Sequence, residues 1–293
     1  MKKHFHKPLV FIDINQIWPL LHQTITDECV KNNWQLIFEE IFFKEIPSQY
    51  HSKIDAVITD RFYNDPLLKN FIKNKIPIIR VGDIVNKKSD EVIPAVIGKL
   101  ESLGNFAAEY FAQRNFKNLA YVGNKTPSIF VNSTKSFISR AKSLNMETHI
   151  LLLDPIDKFS NHSSSFSQYT KKVGEWLKTI PRPVGLFAYN DKQAMRLCYI
   201  CQQSKLRVPE DVAILGIGNE AKYCQTAHPP LSSIEPYHRN IGVTAIQLLH
   251  DIMQNKPIKN RLTIVKPVRV IERSSTDILA TKDKILSDAL KII

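Results

Sequence analysis

Short apolar runs alternate with longer amphipathic stretches along almost the whole chain. The runs Leu9–Ile14, Leu36–Phe42, Asp55–Thr59, Pro77–Val81, Val92–Ile97, Leu119–Gly123, Thr148–Leu153, Val184–Ala188 and Val212–Ile217 are rich in Val, Ile and Leu. They lack a strict polar alternation, which predicts strands of a parallel sheet covered on both faces. Between them, helical spacing predicts helices over Trp18–Val30, Asp65–Asn74, Leu103–Arg114, Ser133–Leu144, a stretch ending at Thr179, another after Asn190, and His238–Asn255. Gly82-Asp83 and Ile180-Pro-Arg-Pro183 punctuate the pattern, and Asp154–Ser165 reads as a polar loop. Regular βαβ alternation implies right-handed crossovers and doubly wound parallel sheets.

Such a sheet holds about six strands, and this chain predicts more. The expected fold is therefore α/β with two doubly wound parallel-sheet lobes of the periplasmic-binding-protein type, joined by three hinge strands. The chain crosses first near Gly98–Gly104 and again near the proline-rich Pro229–Pro236. It then sends a helix and the strand Arg261–Val265 back to the first lobe, and returns through Val268–Glu272. The expected division is 8–100 plus 235–265 for one lobe and 101–234 plus 266–276 for the other. Residues 277–293, with an amphipathic Lys284–Ile293, read as a linker and the start of a further domain.

Ligands of open α/β sheets sit past the carboxyl ends of the strands, which singles out two segments. Val208-Pro-Glu-Asp-Val-Ala-Ile-Leu-Gly-Ile-Gly-Asn-Glu220 places Asn219 and Glu220 just beyond a buried strand, and Val184-Gly-Leu-Phe-Ala-Tyr-Asn-Asp191 does the same for Asn190 and Asp191. Asp13 and Arg61 follow the first and third strands. Amides and carboxylates in these places suit a polar, uncharged ligand. Each also has a plainer reading: Asn190 as a helix cap and Asp191 as a first-turn acid favoured by the helix dipole.

Composition narrows the class. With 43% hydrophobic residues the chain is an ordinary globular protein. The net charge of +12, from 40 basic and 28 acidic residues, is scattered rather than gathered into a basic block. No leader-like or membrane-spanning run is present, which reads as a soluble, cytoplasmic chain without a membrane partner. Four cysteines in 293 residues are not a disulfide scaffold. The Cys198-Tyr-Ile-Cys201 pair falls within a helical pattern, so buried thiols are preferred to a metal or redox site. The sequence carries no G-x-G-x-x-G, P-loop or G-x-S-x-G, so no catalysis, cofactor or metal is expected.

The segments Val208–Ala213, Leu215-Gly-Ile-Gly-Asn219, Pro229-Pro-Leu-Ser-Ser-Ile234, Ile241-Gly-Val-Thr-Ala245 with Leu248-Leu249, and Arg273-Ser-Ser-Thr276 together resemble the LacI/GalR effector-binding domain. Pro267-Val-Arg-Val-Ile-Glu-Arg-Ser-Ser-Thr-Asp277 is similar, more narrowly, to D-xylose operon regulators of the AraC/XylS type, in which the effector lobes precede C-terminal helix-turn-helix units. The resemblance implies a sugar effector, a pentose such as xylose, held in an inter-lobe cleft. It also implies a homodimer, and control of promoter DNA through a C-terminal domain absent from this chain. Carried over by position, Asn190 and Asp191 match the family's Asn-Asp pair, and Asn15 and Trp18 its polar and aromatic positions after the first strand. Two positions depart from the pattern. Gly218 stands where the family has Asp, and Lys135 stands where it tends to have Arg, which leaves the sugar open, with Asn219 or Glu220 as substitutes. A solute-binding protein of a sugar transporter is the alternative that the same architecture allows.

Overall fold

A computed structural model describes residues 7–14, 19–38, 53–124, 131–153, 163–267 and 269–280. The chain divides into two compact units, residues 1–99 with 237–266 and residues 100–236 with 267–293. It therefore passes from one unit to the other three times.

Unit 1 contains β1 (Leu9–Asp13), α1 (Pro19–Lys31), β2 (Gln35–Phe38), β3 (Ala56–Thr59), α2 (Pro66–Lys73), β4 (Ile78–Gly82), α3 (Lys87–Val92), β5 (Ala95–Gly98), and later α9 (His238–Met253) and β11 (Leu262–Val265). Its sheet has six strands in the order β11-β5-β4-β3-β1-β2, and every pairing is parallel. Unit 2 contains α4 (Leu100–Gln113), β6 (Asn118–Asn124), α5 (Val131–Ser143), β7 (Glu147–Leu153), α6 (Ser163–Thr179), β8 (Val184–Phe187), α7 (Asp191–Gln203), β9 (Val212–Ile217), α8 (Ala221–Cys224), β10 (Ser232–Glu235) and β12 (Arg269–Ile271). Its order, β12-β10-β9-β8-β6-β7, repeats that of unit 1. Among the described residues, only the edge strand β12 runs antiparallel, against β10.

Both sheets reverse their strand order on either side of the first strand, between β1 and β3 in unit 1 and between β6 and β8 in unit 2. A crevice opens at such a switch point because the two flanking connections leave on opposite faces. In unit 1 the register places Asp13 directly beside Thr59 at that point.

Sequence explains the local starts and stops. Asp65 caps α2 by accepting from the Leu67 amide at 2.9 Å, with Pro66 at the first helical position, where a missing N–H costs nothing. Asn115, Asn145 and Asn255 follow their helices with φ of 63°, 56° and 59°, the left-handed turn that asparagine tolerates. In unit 1, Phe11, Val57 and Ile78 pack with Leu68, Phe71 and Ile93. In unit 2, the strands around Leu186 and Ile214 bury Leu197, Cys198 and Cys201 of α7. Both cysteines belong to this apolar core, and burial pushes the Cys198 thiol up to about 12. Among the described residues no helix is long and apolar enough to cross a membrane.

Several expected elements are corrected. Val92–Ile97 is not one strand: α3 ends at Val92 and β5 begins at Ala95. Asn86 starts that helix by accepting from the Ser89 amide at 3.0 Å, and the helix carries Asp90 to a buried partner, Arg80. The helix expected from Leu103 begins at Leu100. Ser232–Glu235, taken for punctuation between prolines, is a buried central strand. Residues 39–42 of one expected strand, most of the 154–165 loop and the Lys284–Ile293 helix lie outside the described residues.

Candidate functional site

In unit 1 the strand ends gather a compact charged cluster. Asp13 is the last residue of β1 and is buried. One carboxylate oxygen, Oδ2, accepts from Thr59 Oγ1 at 2.9 Å and from Arg61 Nε at 2.7 Å. Thr59 Oγ1 in turn accepts from the Arg61 amide at 3.0 Å. Arg61 Nη1 reaches Asp65 Oδ2 at 3.2 Å, so the residue that caps α2 also fixes the guanidinium. Partial burial alone would lower the Arg61 pKa, but the hydrogen bonds and charges of Asp13 and Asp65 hold it above its ordinary value. The result is a permanently charged fork, 33% exposed, with its plane set by two carboxylates. Asn15 and Trp18 lie outside the described residues.

In unit 2, Asn190 caps α7: its Oδ1 accepts from the Gln193 amide at 2.8 Å. Gln193 reciprocates, its Oε1 accepting from the Tyr189 amide at 3.2 Å while its Nε2 donates to the Val122 carbonyl at 2.7 Å. This exchange resembles a capping box that also ties the end of β8 to β6. Asn190→Ala is expected to cost about 1 kcal/mol, read as a lower urea midpoint, and Asn190→Ser to restore most of it.

Asp191 does not face solvent. Its side chain is fully buried, and both oxygens are engaged by the chain: Oδ1 accepts from Ser233 Oγ at 2.6 Å and Oδ2 from the Glu220 amide at 2.8 Å. Burial raises its pKa, against the lowering effect of the hydrogen bonds from Ser233, Glu220 and Cys224. Asp191 thus ties the α7 start to β10 and to the loop after β9. Asn219 stands at φ 53°, donating its amide to Ser233 Oγ at 3.0 Å and accepting at Oδ1 from Arg273 Nη2 at 2.9 Å. Since arginine only donates, this contact occupies the Asn219 side-chain oxygen and leaves its side-chain nitrogen outside the bond. Glu220 is partly exposed and pairs with Lys222 at 3.2 Å.

Gly218 has its own cause. Its φ is 128°, and a Cβ there would stand 3.0 Å from Asp191 Oδ2. An aspartate here would be strained by that backbone angle and would crowd the Asp191 carboxylate. Lys135, the other departure, is exposed on α5.

The sequence candidates are thus brought together in two groups, Asp13 with Arg61 in unit 1, and Asp191 with Asn219 and Glu220 in unit 2, with Asn190 at their side. Sequence reasoning missed Thr59, Asp65, Gln193, Ser233 and Arg273. The Asn-Asp-x-Gln spacing did signal Gln193, because the third helical position is where a reciprocal cap sits. Nothing local marked Ser233.

Comparison with known proteins places this architecture. Residues 108–276 match the model of the periplasmic binding protein-like domain. A xylose operon regulatory protein of Haemophilus influenzae is 26% identical over 266 residues, covering 89% of this chain and 67% of the relative. Its Escherichia coli K12 counterpart is 32% identical over 122 residues, which span 42% of this chain and 31% of the relative. Among solved structures, a xylose-binding transcription activator superposes with a TM-score of 0.72 at 20% identity, covering 97% of this chain and 73% of that one. A LacI family transcriptional regulator from Bifidobacterium animalis gives 0.66 at 19% identity, covering 92% and 97%. With more than half of its residues inside the matched region and the same strand order in both of its sheets, the chain belongs to the family of periplasmic binding protein-like domains.

Proposed function

We propose that this chain is the effector-sensing part of a transcription regulator and that its effector is a sugar, a pentose such as xylose. The observation that carries the reading is the construction at the switch point of unit 1, where Asp13, Thr59 and Arg61 lock one another at the ends of adjacent parallel strands. Sugar hydroxyls both donate and accept, and charge-assisted hydrogen bonds from a fixed guanidinium or carboxylate are roughly twice as strong as neutral ones. Unit 2, taken by itself, carries the side-chain amides of Asn190 and Asn219 past its own strands β8 and β9. Relatives support the ligand class. A LacI-type structure from Alkaliphilus metalliredigens holds D-xylulofuranose, another regulator is complexed with cellobiose, and the Haemophilus and Escherichia relatives regulate a xylose operon. DNA contact is assigned to helix-turn-helix units of the AraC/XylS type outside this chain, acting in a homodimer, and sugar binding shifts the balance between two states of that dimer. No step of this role calls for catalysis.

A thermal-shift panel of D-xylose, other pentoses, hexoses and sugar acids tests the reading. A ligand at a hundred times its Kd stabilises by roughly 2.7 kcal/mol. One sugar is expected to raise the melting temperature, and Arg61→Ala to abolish that rise while leaving the unliganded chain folded. A flat response to the whole panel would overturn the sugar reading.

A further inference from the structure

We infer that Arg273 is a positioning residue that couples the strand-end loop Gly218–Glu220 to the segment Ser274–Ala280, so that the two move as one element of unit 2. Arg273 follows β12 and sits between the two segments. Its Nη2 holds Asn219 Oδ1 at 2.9 Å and its Nη1 holds the Leu231 carbonyl at 2.8 Å. Its backbone is locked to β10 in both directions, the amide donating to Ser232 Oγ at 2.8 Å and the carbonyl accepting from the same hydroxyl at 2.7 Å.

From Ser232 the contacts continue without a gap. Thr276 Oγ1 donates to Ser232 Oγ at 2.7 Å, and Tyr110 OH lies 2.7 Å from Thr276 Oγ1. Each hydroxyl carries one hydrogen, which fixes the direction of the chain. The Arg273 carbonyl can only accept, so Ser232 donates to it; Thr276 therefore donates to Ser232, and Tyr110 donates to Thr276. Hydroxyls ordered this way polarise one another. Beside them, Ser275 Oγ donates to the Ile214 carbonyl at 2.6 Å and accepts from the Ser232 amide at 2.8 Å. Ser232, Ser233, Ser275 and Thr276 are all buried, so water offers them no substitute partner. Arg114 then stacks on the Tyr110 ring, 3.7 Å from its centroid, and its carbonyl accepts from the Ala280 amide at 2.8 Å. At the other end, Asn219 continues through Ser233 to Asp191 and Glu220.

The packing has one consequence that simple structural support would not have. A hydroxyl removed at Tyr110 is expected to be felt at Asn219, to which it is joined through Thr276, Ser232 and Arg273. The use of this coupling by a bound sugar rests on the sensor reading above, whereas the coupling itself is measured without ligand.

The test is amide hydrogen exchange on the full chain, comparing wild type with Tyr110→Phe, Thr276→Val and Thr276→Ser. Loss of one buried hydrogen bond is expected to speed exchange about fivefold at Asn219 and Glu220 as well as at Asp277 and Ile278. The amides of Leu119–Val122 in β6 are expected to keep the wild-type rate. Thr276→Ser, which keeps the hydroxyl, should behave as wild type, and the Tyr110→Phe/Thr276→Val double variant should not exceed Thr276→Val alone, because that substitution already removes the bond to Tyr110 together with the one to Ser232. Acceleration confined to 275–278 would overturn the coupling. So would equal acceleration in β6, which would mean that the whole unit had loosened.

Discussion

Asp90→Ala is expected to remove about 3–5 kcal/mol from unit 1, seen as a large fall in urea midpoint. Asp90 is the buried counter-charge of Arg80, whose side chain is only 1% exposed. Asp90 Oδ1 accepts from Arg80 Nε at 2.9 Å and also from Nη2, and Oδ2 accepts from the Asn86 amide at 2.9 Å. Without the carboxylate the guanidinium keeps the Ile84 carbonyl, 2.9 Å from Nη2, and the face of Phe62. Neither neutralises a charge held out of water. Removing both partners tests the cause. Arg80→Met combined with Asp90→Leu should recover most of the loss, since apolar groups of similar volume often replace a buried ion pair at little cost. A double variant as unstable as the single would show that α3 needs Asp90 for another reason.

The second large effect is at Asp191. Asp191→Ala strands the Ser233 hydroxyl and the Glu220 amide, and a buried donor left unpaired costs about 1–3 kcal/mol; a loss of about 2–6 kcal/mol is therefore expected, with faster exchange at Glu220. The pH dependence has a definite sign. Burial raises the folded pKa above the ordinary 3.8, so the folded state binds its proton more tightly than the unfolded one. The contribution is full below that ordinary value and is lost as pH rises through the raised folded value. Urea midpoints of wild type minus Asp191→Asn should therefore decline with pH across that window. A difference that stays level would place the Asp191 pKa at its ordinary value.

The pattern of apolar runs was enough to read two doubly wound sheets, because a strand buried on both faces leaves a continuous hydrophobic stretch. It misled where a side chain's polar partner overrode the apolar pattern. Val92 looked like the start of a strand, yet Asn86 and the need of Arg80 for Asp90 make that stretch helical up to Val92. Ser232-Ser-Ile-Glu235 looked like part of a crossover because prolines flank it on both sides. In the fold its serine hydroxyls are the polar fastening of a central strand, with Ser233 on Asp191 and Ser232 on Arg273. Candidate site residues were legible as positions past strand ends. What each side chain faces was not, since Asp191 and Asn219 are oriented by Ser233 and Arg273, 42 and 54 residues away.

The triple passage of the chain between its units also governs how the protein is made. On the ribosome, α1 emerges early but waits for α9, whose Gly242 lies against Thr24, and β5 waits for β11. Asp191 and Ser233 are both synthesised well before Arg273 arrives to hold Asn219. Neither half therefore has all of its strands once its first segment has been translated, unlike consecutive domains. A nascent chain that has reached Pro236 exposes the open edge of β5 and an unlatched β10, both templates for mispairing. Both sheets receive their last edge strands, β11 and β12, within a few residues of each other, so translation paused just before this stretch would leave two incomplete sheets rather than one complete and one pending.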